Sequence, residues 1–284
     1  MQNNTTENDG LWAFFGLTFV FMALTFGVMA LFQIPGPALS PAGEPRPLGL
    51  ILFALGGFSP SLAGMIMAGV KGELGDLLKR SVRFGLGVQW YLVIIGLTML
   101  PYLAQLGVTV LQGGSLGAPF YASQPLIVLA NIPAILIFGP ISEELGWRGF
   151  ATDRVLARWN LPVANLILGL FWAFWHFPLF FTPGTSQQQL GDPIMSFTLF
   201  SIQIVALNVL YTWVYLKTDR SVWGAIFFHF MSAFAPFTLL AFLPEGGSFI
   251  NLVSIGVYVV AAVIVLVAQM SAAETLASTS EPSV

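Results

Sequence analysis

The chain has 284 residues, 56% hydrophobic and 8% charged, with a formal net charge of −3 and a mean hydropathy of +0.83. Soluble domains carry about 25% charged residues, so this chain has too little charge to cover a water-exposed surface and reads as an integral membrane protein. The absence of cysteine excludes disulfides and thiolate catalysis, and the absence of any basic run or basic–aromatic patch argues against nucleic acid as a partner.

The first ten residues are polar and lack the basic stretch of a signal peptide. The apolar run that follows is too long for a signal core, and it reads as a retained transmembrane helix. A spanning helix needs about 20 apolar residues. Eight such stretches are predicted, at about 11–34, 48–70, 90–112, 125–150, 161–181, 194–216, 221–242 and 249–270. The fold class is therefore an all-α polytopic bundle of about eight helices, a single transmembrane domain over residues 1–284. Residues 71–89 are too polar to lie in lipid and predict an amphipathic interfacial helix. The fourth stretch is broken by Pro133 and Gly139-Pro140, as membrane helices tolerate where backbone is buried in protein or lines a cavity. The Ser/Thr/Glu-rich segment 271–284 predicts a disordered tail. The Phe and Trp residues are expected mainly on lipid-facing and interfacial surfaces.

Orientation follows from Lys and Arg placement. With eight spans, one side holds both termini, 71–89, 151–160 and 217–220, and carries eight Lys/Arg against Arg46 alone on the other, Arg148 being set aside within a span. That predicts cytoplasmic termini in a plasma membrane, and the overall character looks prokaryotic.

Charged and imidazole side chains at membrane depth are costly and are kept for a partner or a task. The only two histidines, His176 and His229, both lie in apolar runs, and Glu143-Glu144 closes a third. The fourth and fifth spans form a hairpin reversing at Asn160-Leu161-Pro162. Glu144 precedes Asn160 by 16 residues and His176 follows it by 16, so two helical arms bring both to one level. His229 falls early in the seventh span, and the helical rise puts the shared level roughly 12–15 Å below the cytoplasmic surface. Arg148 stands at i+4 from Glu144, the spacing of an ion pair on one helix face. Glu143 points about 100° away and is left to face a cavity as a candidate general base.

Taken singly, each element has an ordinary structural use. An ion pair closes a bundle end, and a membrane histidine joins helices by hydrogen bonds. The same ordinary role is expected of Asn131, Asn165, Gln203 and Asn208. Two histidines converging on two carboxylates are harder to explain in that way.

The motifs are Glu143-Glu144-Leu145-Gly146-Trp147-Arg148, which is EExxxR, then Trp172 four residues before His176, and His229 in a later span. This pattern resembles the CPBP family of CAAX-protease-2-like and bacteriocin-processing intramembrane proteases, also called Abi. The resemblance covers about residues 125–240, the expected catalytic core. Two positions depart from it. The usual FxxxH has Trp172 in place of Phe, and the usual HxxxN has Ala233 in place of Asn, with Ser232 beside it as a substitute donor.

The resemblance implies a hydrolase, an intramembrane endopeptidase acting on a membrane-tethered or lipidated peptide within a lipid bilayer. It implies Glu143, with Glu144, as the activator of water. His176 would orient that water, and His229 would stabilise the oxyanion. Arg148, Trp172 and Ser232 would support them. Glu143, His176 and His229 would also make a three-ligand Zn²⁺ site of the metalloprotease kind, and a metal-free mechanism is equally compatible. Ala233 motivates a second expectation, a catalytically impaired member serving as a membrane scaffold or regulator. A proton-coupled transporter is a third, weakened by the lack of the inverted repeat that such folds show.

Overall fold

The structure, a computed structural model, describes residues 9–37, 46–243 and 248–279. Its elements are α1 (Leu11–Leu31), α2 (Pro47–Gly57), α3 (Ser59–Val70), α4 (Leu74–Ser81), α5 (Val88–Leu111), α6 (Leu126–Arg158), α7 (Leu161–His176), α8 (Pro193–Lys217), α9 (Val222–Leu239) and α10 (Ser248–Thr279). No strand is present among the described residues. Seven of the helices are long and apolar enough to cross a membrane, and the pair α2–α3, bent by 44°, makes an eighth span if counted as one. The all-α polytopic expectation is borne out. The predicted second span differs in being broken at Phe58, where Ser59 and Pro60 start a new helix.

The last helix runs on to Thr279, into the segment expected to be disordered, while 280–284 lie outside the described residues. Part of the aromatic set is interior: Trp147, Trp172, Trp175, Phe14, Phe26, Phe150 and Phe228 are fully or almost fully buried. With few charges available, wide aromatic surfaces and edge-to-face contacts supply the interhelical packing.

The bundle has one charged end. Arg154 donates to Glu73 at 2.6 Å and to the Asp9 carbonyl at 2.9 Å; Arg158 pairs with Asp9, and Arg83 with Asp219. The segments assigned to one side by their Lys and Arg thus meet in space. The amphipathic helix predicted within 71–89 is α4. It lays Leu77 into the bundle against Gly149, while Arg80 reaches back to the Gly149 carbonyl and the Tyr215 hydroxyl.

α6 is the irregular span. Phe138 and Gly139 leave helical geometry before Pro140, whose ring removes one N–H and clashes with the preceding turn. Two carbonyls beside the break accept from hydroxyls: Ser142 Oγ donates to Gly139 O and Ser61 Oγ, from α3, to Ile141 O. α3 can approach this closely because the contact is backbone on backbone. A Cβ at Gly64 would lie 2.7 Å from Gly146 Cα, and one at Gly146 would lie 2.2 Å from the Pro60 carbonyl oxygen. Small residues at a membrane helix contact allow this approach. The Gly-to-Gly contact fixes the short helical stretch Ser142–Gly146 that carries both glutamates.

Candidate active site

The two adjacent glutamates part company. Glu144 is fully buried and ion-paired with Arg148, whose Nη1 lies 3.1 Å from Oε2, as the i+4 spacing predicted. Arg148 is equally buried. Its guanidinium sits between the rings of Trp172 and Tyr211, 4.4 Å from each centroid, and its Nη2 donates to Asn208 Oδ1 at 2.8 Å. Asn208 in turn donates from Nδ2 to the Asn165 carbonyl and side-chain oxygen, both at 3.0 Å. Asn165 and Asn208 are the interhelical links expected from sequence, and they do more: they join α7 to α8 and fix the cation that neutralises Glu144. Asn131 bonds only within its own helix, to Ile127 O.

Glu144 has a second partner. His229 Nδ1, on α9, lies 2.7 Å from its Oε1. A carboxylate accepts, so Nδ1 carries the hydrogen and Nε2 is left over. That Nε2 faces the backbone of Gly139, 3.4 Å from where a side chain there would begin. The kinked segment of α6, which has no side chain at this point, therefore leaves space at the free nitrogen of His229.

Glu143 turns the other way. Its Oε2 accepts from Trp172 Nε1 at 2.6 Å. Replacing the family's usual Phe with Trp172 has a chemical consequence, because a phenyl ring has no hydrogen to donate. His176, one turn further along α7, gives its Nδ1 hydrogen to the Trp172 carbonyl at 2.9 Å and keeps Nε2 as an acceptor. Trp172 thus holds both the carboxylate and the imidazole, one through its indole and the other through its backbone.

Glu143, His176 and His229 line one cavity of about 330 Å³, together with Tyr211, Ser232 and Ala233. Ser232 donates its single hydrogen to the His229 carbonyl at 2.9 Å, so the Tyr211 hydroxyl is the donor in its 2.8 Å contact with Ser232. Ser232 therefore has no hydrogen to spare as a replacement for the family's Asn. Tyr211 was not singled out from sequence. Its signal was its place three residues after Asn208, on the buried face of α8.

The zinc set Glu143, His176 and His229 shares this cavity. As arranged, however, no group of three His, Asp or Glu side chains converges in a metal-holding geometry among the described residues. Each carboxylate is committed to nitrogen donors instead: Glu143 to the Trp172 indole, Glu144 to Arg148 and His229.

The fold and site define an α-helical membrane protein with a buried Glu–Arg–His cluster beside an intramembrane cavity. Residues 124–235 match the family model of the type II CAAX prenyl endopeptidase Rce1-like proteins, a segment that contains every site residue named above. The chain is also similar to CAAX prenyl protease 2 of Methanococcus maripaludis, with 37% identity over 98 residues, which is 34% of this chain. Over this segment the chain is similar to the CPBP/CAAX proteases, a family of membrane hydrolases. The match spans about a third of the length of that curated relative, 36%.

Proposed function

We propose that the protein is an intramembrane endopeptidase in which Glu143 activates water for attack on a peptide bond. The observation that carries this reading is the shared cavity: one carboxylate and two imidazoles, each already oriented by a second group, face one common space. Glu143 takes a proton from water, and His176 Nε2 accepts a hydrogen bond from the same water and orients it. The hydroxide adds to the scissile carbonyl. His229, protonated and held by Glu144, donates from Nε2 to the resulting oxyanion, and Glu143 returns its proton to the leaving amine. Glu144 and Arg148 position His229 and do not touch substrate. The substrate class is a membrane-tethered or lipidated peptide, which the bilayer concentrates and presents at the depth of the cavity. The Lys/Arg asymmetry supports placing the charged end in the cytoplasm of a prokaryotic cell.

The test is cleavage of a membrane-tethered peptide by purified protein in lipid vesicles. Glu143→Gln and His176→Ala should each abolish it while leaving the thermal unfolding profile intact; full activity in either overturns the mechanism. Elemental analysis of the same preparations addresses the metal. One zinc per chain, lost in Glu143→Ala, would replace water activation by the carboxylate alone.

One observation favours a second reading. Ala233 lines the cavity where the family carries an amide donor, and Ser232 does not substitute for it. A member with impaired chemistry could serve as a membrane scaffold or regulator. Binding of the tethered peptide without turnover is the result that would favour it.

A further inference from the structure

We propose that the cavity takes its peptide from the membrane face opposite the Lys/Arg-rich end, so that the polypeptide entering it is one exposed outside the cytoplasm. This rests on the endopeptidase reading for the identity of the occupant, while the direction of access rests on geometry alone.

The residues lining the cavity define a path. Tyr211 and His229 lie at its inner end, His229 near the middle of α9 and Tyr211 in the half of α8 nearer the charged end. Phe53, Ile135 and Phe200 come next: Phe53 in the arm of the bent α2–α3 span remote from the charged end, Ile135 and Phe200 in the remote halves of α6 and α8. Ser186 and Gln187, in the loop between α7 and α8, form the outermost part. That loop joins the ends of α7 and α8 remote from the charged end of the bundle.

The charged end is closed. Between it and the glutamates lie fully buried Trp147, Arg148 and Phe150. α4 is packed across the outside with Leu77 against Gly149, and Arg80 is hydrogen-bonded to the Gly149 carbonyl. Any route from this side would have to displace the Glu144–Arg148–Asn208 cluster, whose charges are paired only with one another and with His229.

The mouth at the other end is preformed and of suitable chemistry. Gln33 donates to the Phe181 carbonyl and Gly36 N–H to the Pro183 carbonyl, so the chain after α1 holds the start of the loop. Thr185 Oγ1 bonds back to the Leu179 and Thr182 carbonyls. Residues 182–191 carry no charge. The side chains at the mouth, a hydroxyl and a carboxamide, match the N–H and C=O groups of an extended peptide better than a charged headgroup, and the aromatic walls behind them suit an apolar side chain. With the Lys/Arg-rich end in the cytoplasm, this mouth faces outward.

The chain has no native cysteine, so single thiols can report access without any cleavage assay. Gln187→Cys marks the mouth, Ala233→Cys the cavity and Asp219→Cys the charged end. Intact cells are treated with a small membrane-impermeant thiol reagent, with detergent-unfolded protein as the control for total thiol. Gln187→Cys and Ala233→Cys should react in intact cells, and Asp219→Cys only after permeabilisation. The reverse pattern overturns the proposal, as does a cavity thiol that reacts only after permeabilisation or not at all. If Ala233→Cys does not fold, Ile135→Cys lines the same cavity and gives the same readout. If the labelling follows expectation but no tethered peptide is cut, the endopeptidase reading fails and the direction of access stands.

Discussion

Glu144 and His229, 85 positions apart in the chain, meet at 2.7 Å in the interior of the bundle. The contact gives the second glutamate of the motif a task distinct from that of the first. Glu144 makes no claim on substrate, since Arg148 and His229 occupy its oxygens. It fixes the ring of His229 so that Nε2 is the nitrogen offered to the cavity. Glu144→Gln preserves the shape and removes the charge, leaving a weaker hold on a protonated His229. Loss of one oxyanion donor costs ~10²–10³ in rate, and a fall of that order in kcat with little change in KM is expected in vesicle assays. A variant with full kcat would show that His229 is oriented by something else.

Trp172→Phe restores the residue usual in the family and removes one hydrogen. A hydrogen bond to a charged group contributes about 1.5–3 kcal/mol, so losing the indole donor to Glu143 is expected to slow cleavage by roughly 10- to 100-fold. The fold should survive, because the ring volume is largely kept. Unchanged kinetics would make the indole N–H incidental.

Arg148→Met tests the buried ion pair. Removing one partner of such a pair is destabilising by about 3–5 kcal/mol because the other charge stays buried without compensation. Both side chains here are wholly inaccessible, so the full cost is expected. It should be visible as a large drop in the detergent melting temperature. Arg148→Lys keeps the charge but lacks the planar fork that spans Glu144 and Asn208, and it should fall between the two. A variant Met protein as stable as the parent would contradict this account of the cluster.

Ala233→Asn addresses the missing amide. Position 233 lines the cavity one turn beyond His229, so an amide there has room to reach a developing oxyanion. Cleavage is expected to rise, by up to ~10² if the donor is well placed. An equal rate in both proteins would mean that Tyr211 or the backbone already supplies what the family draws from Asn.

What could be read in the sequence was local or nearly so. The Glu144–Arg148 pair follows from helical spacing, and the common level of the glutamates and His176 follows from equal distances to the reversal at Asn160. Charge asymmetry alone gathers 71–89, 151–160 and 217–220 at one end. The contacts that complete the site depend on helix rotation, which spacing does not give. Nothing in the local sequence told that His229 would turn its Nδ1 to Glu144, or that Trp172 would aim its indole at Glu143; the Trp read only as a mild exchange for Phe. Tyr211 was hidden in an apolar run. Which rings turn inward, Trp147, Trp172 and Trp175 among them, was not legible because hydropathy treats a ring at a helix contact and a ring in lipid alike. The direction in which the cavity opens was also beyond reach, since it depends on which end the packing of α4 and Arg80 closes.

The bent pair α2–α3 lies wholly outside the segment shared with the family model, yet the site leans on it. Ser59 Oγ accepts from Trp175 Nε1 at 2.8 Å, Ser61 Oγ serves the Ile141 carbonyl, and Gly64 touches Gly146. The most diagnostic part of the chain is therefore not an autonomous unit. A protein trimmed to begin at residue 124 would expose the back of the glutamate-bearing turn to lipid, with an unsatisfied carbonyl and an unsatisfied indole in hydrocarbon. Substitution in the early spans is therefore expected to disturb the site at these three small residues, so the site depends on a scaffold that the motifs alone do not include.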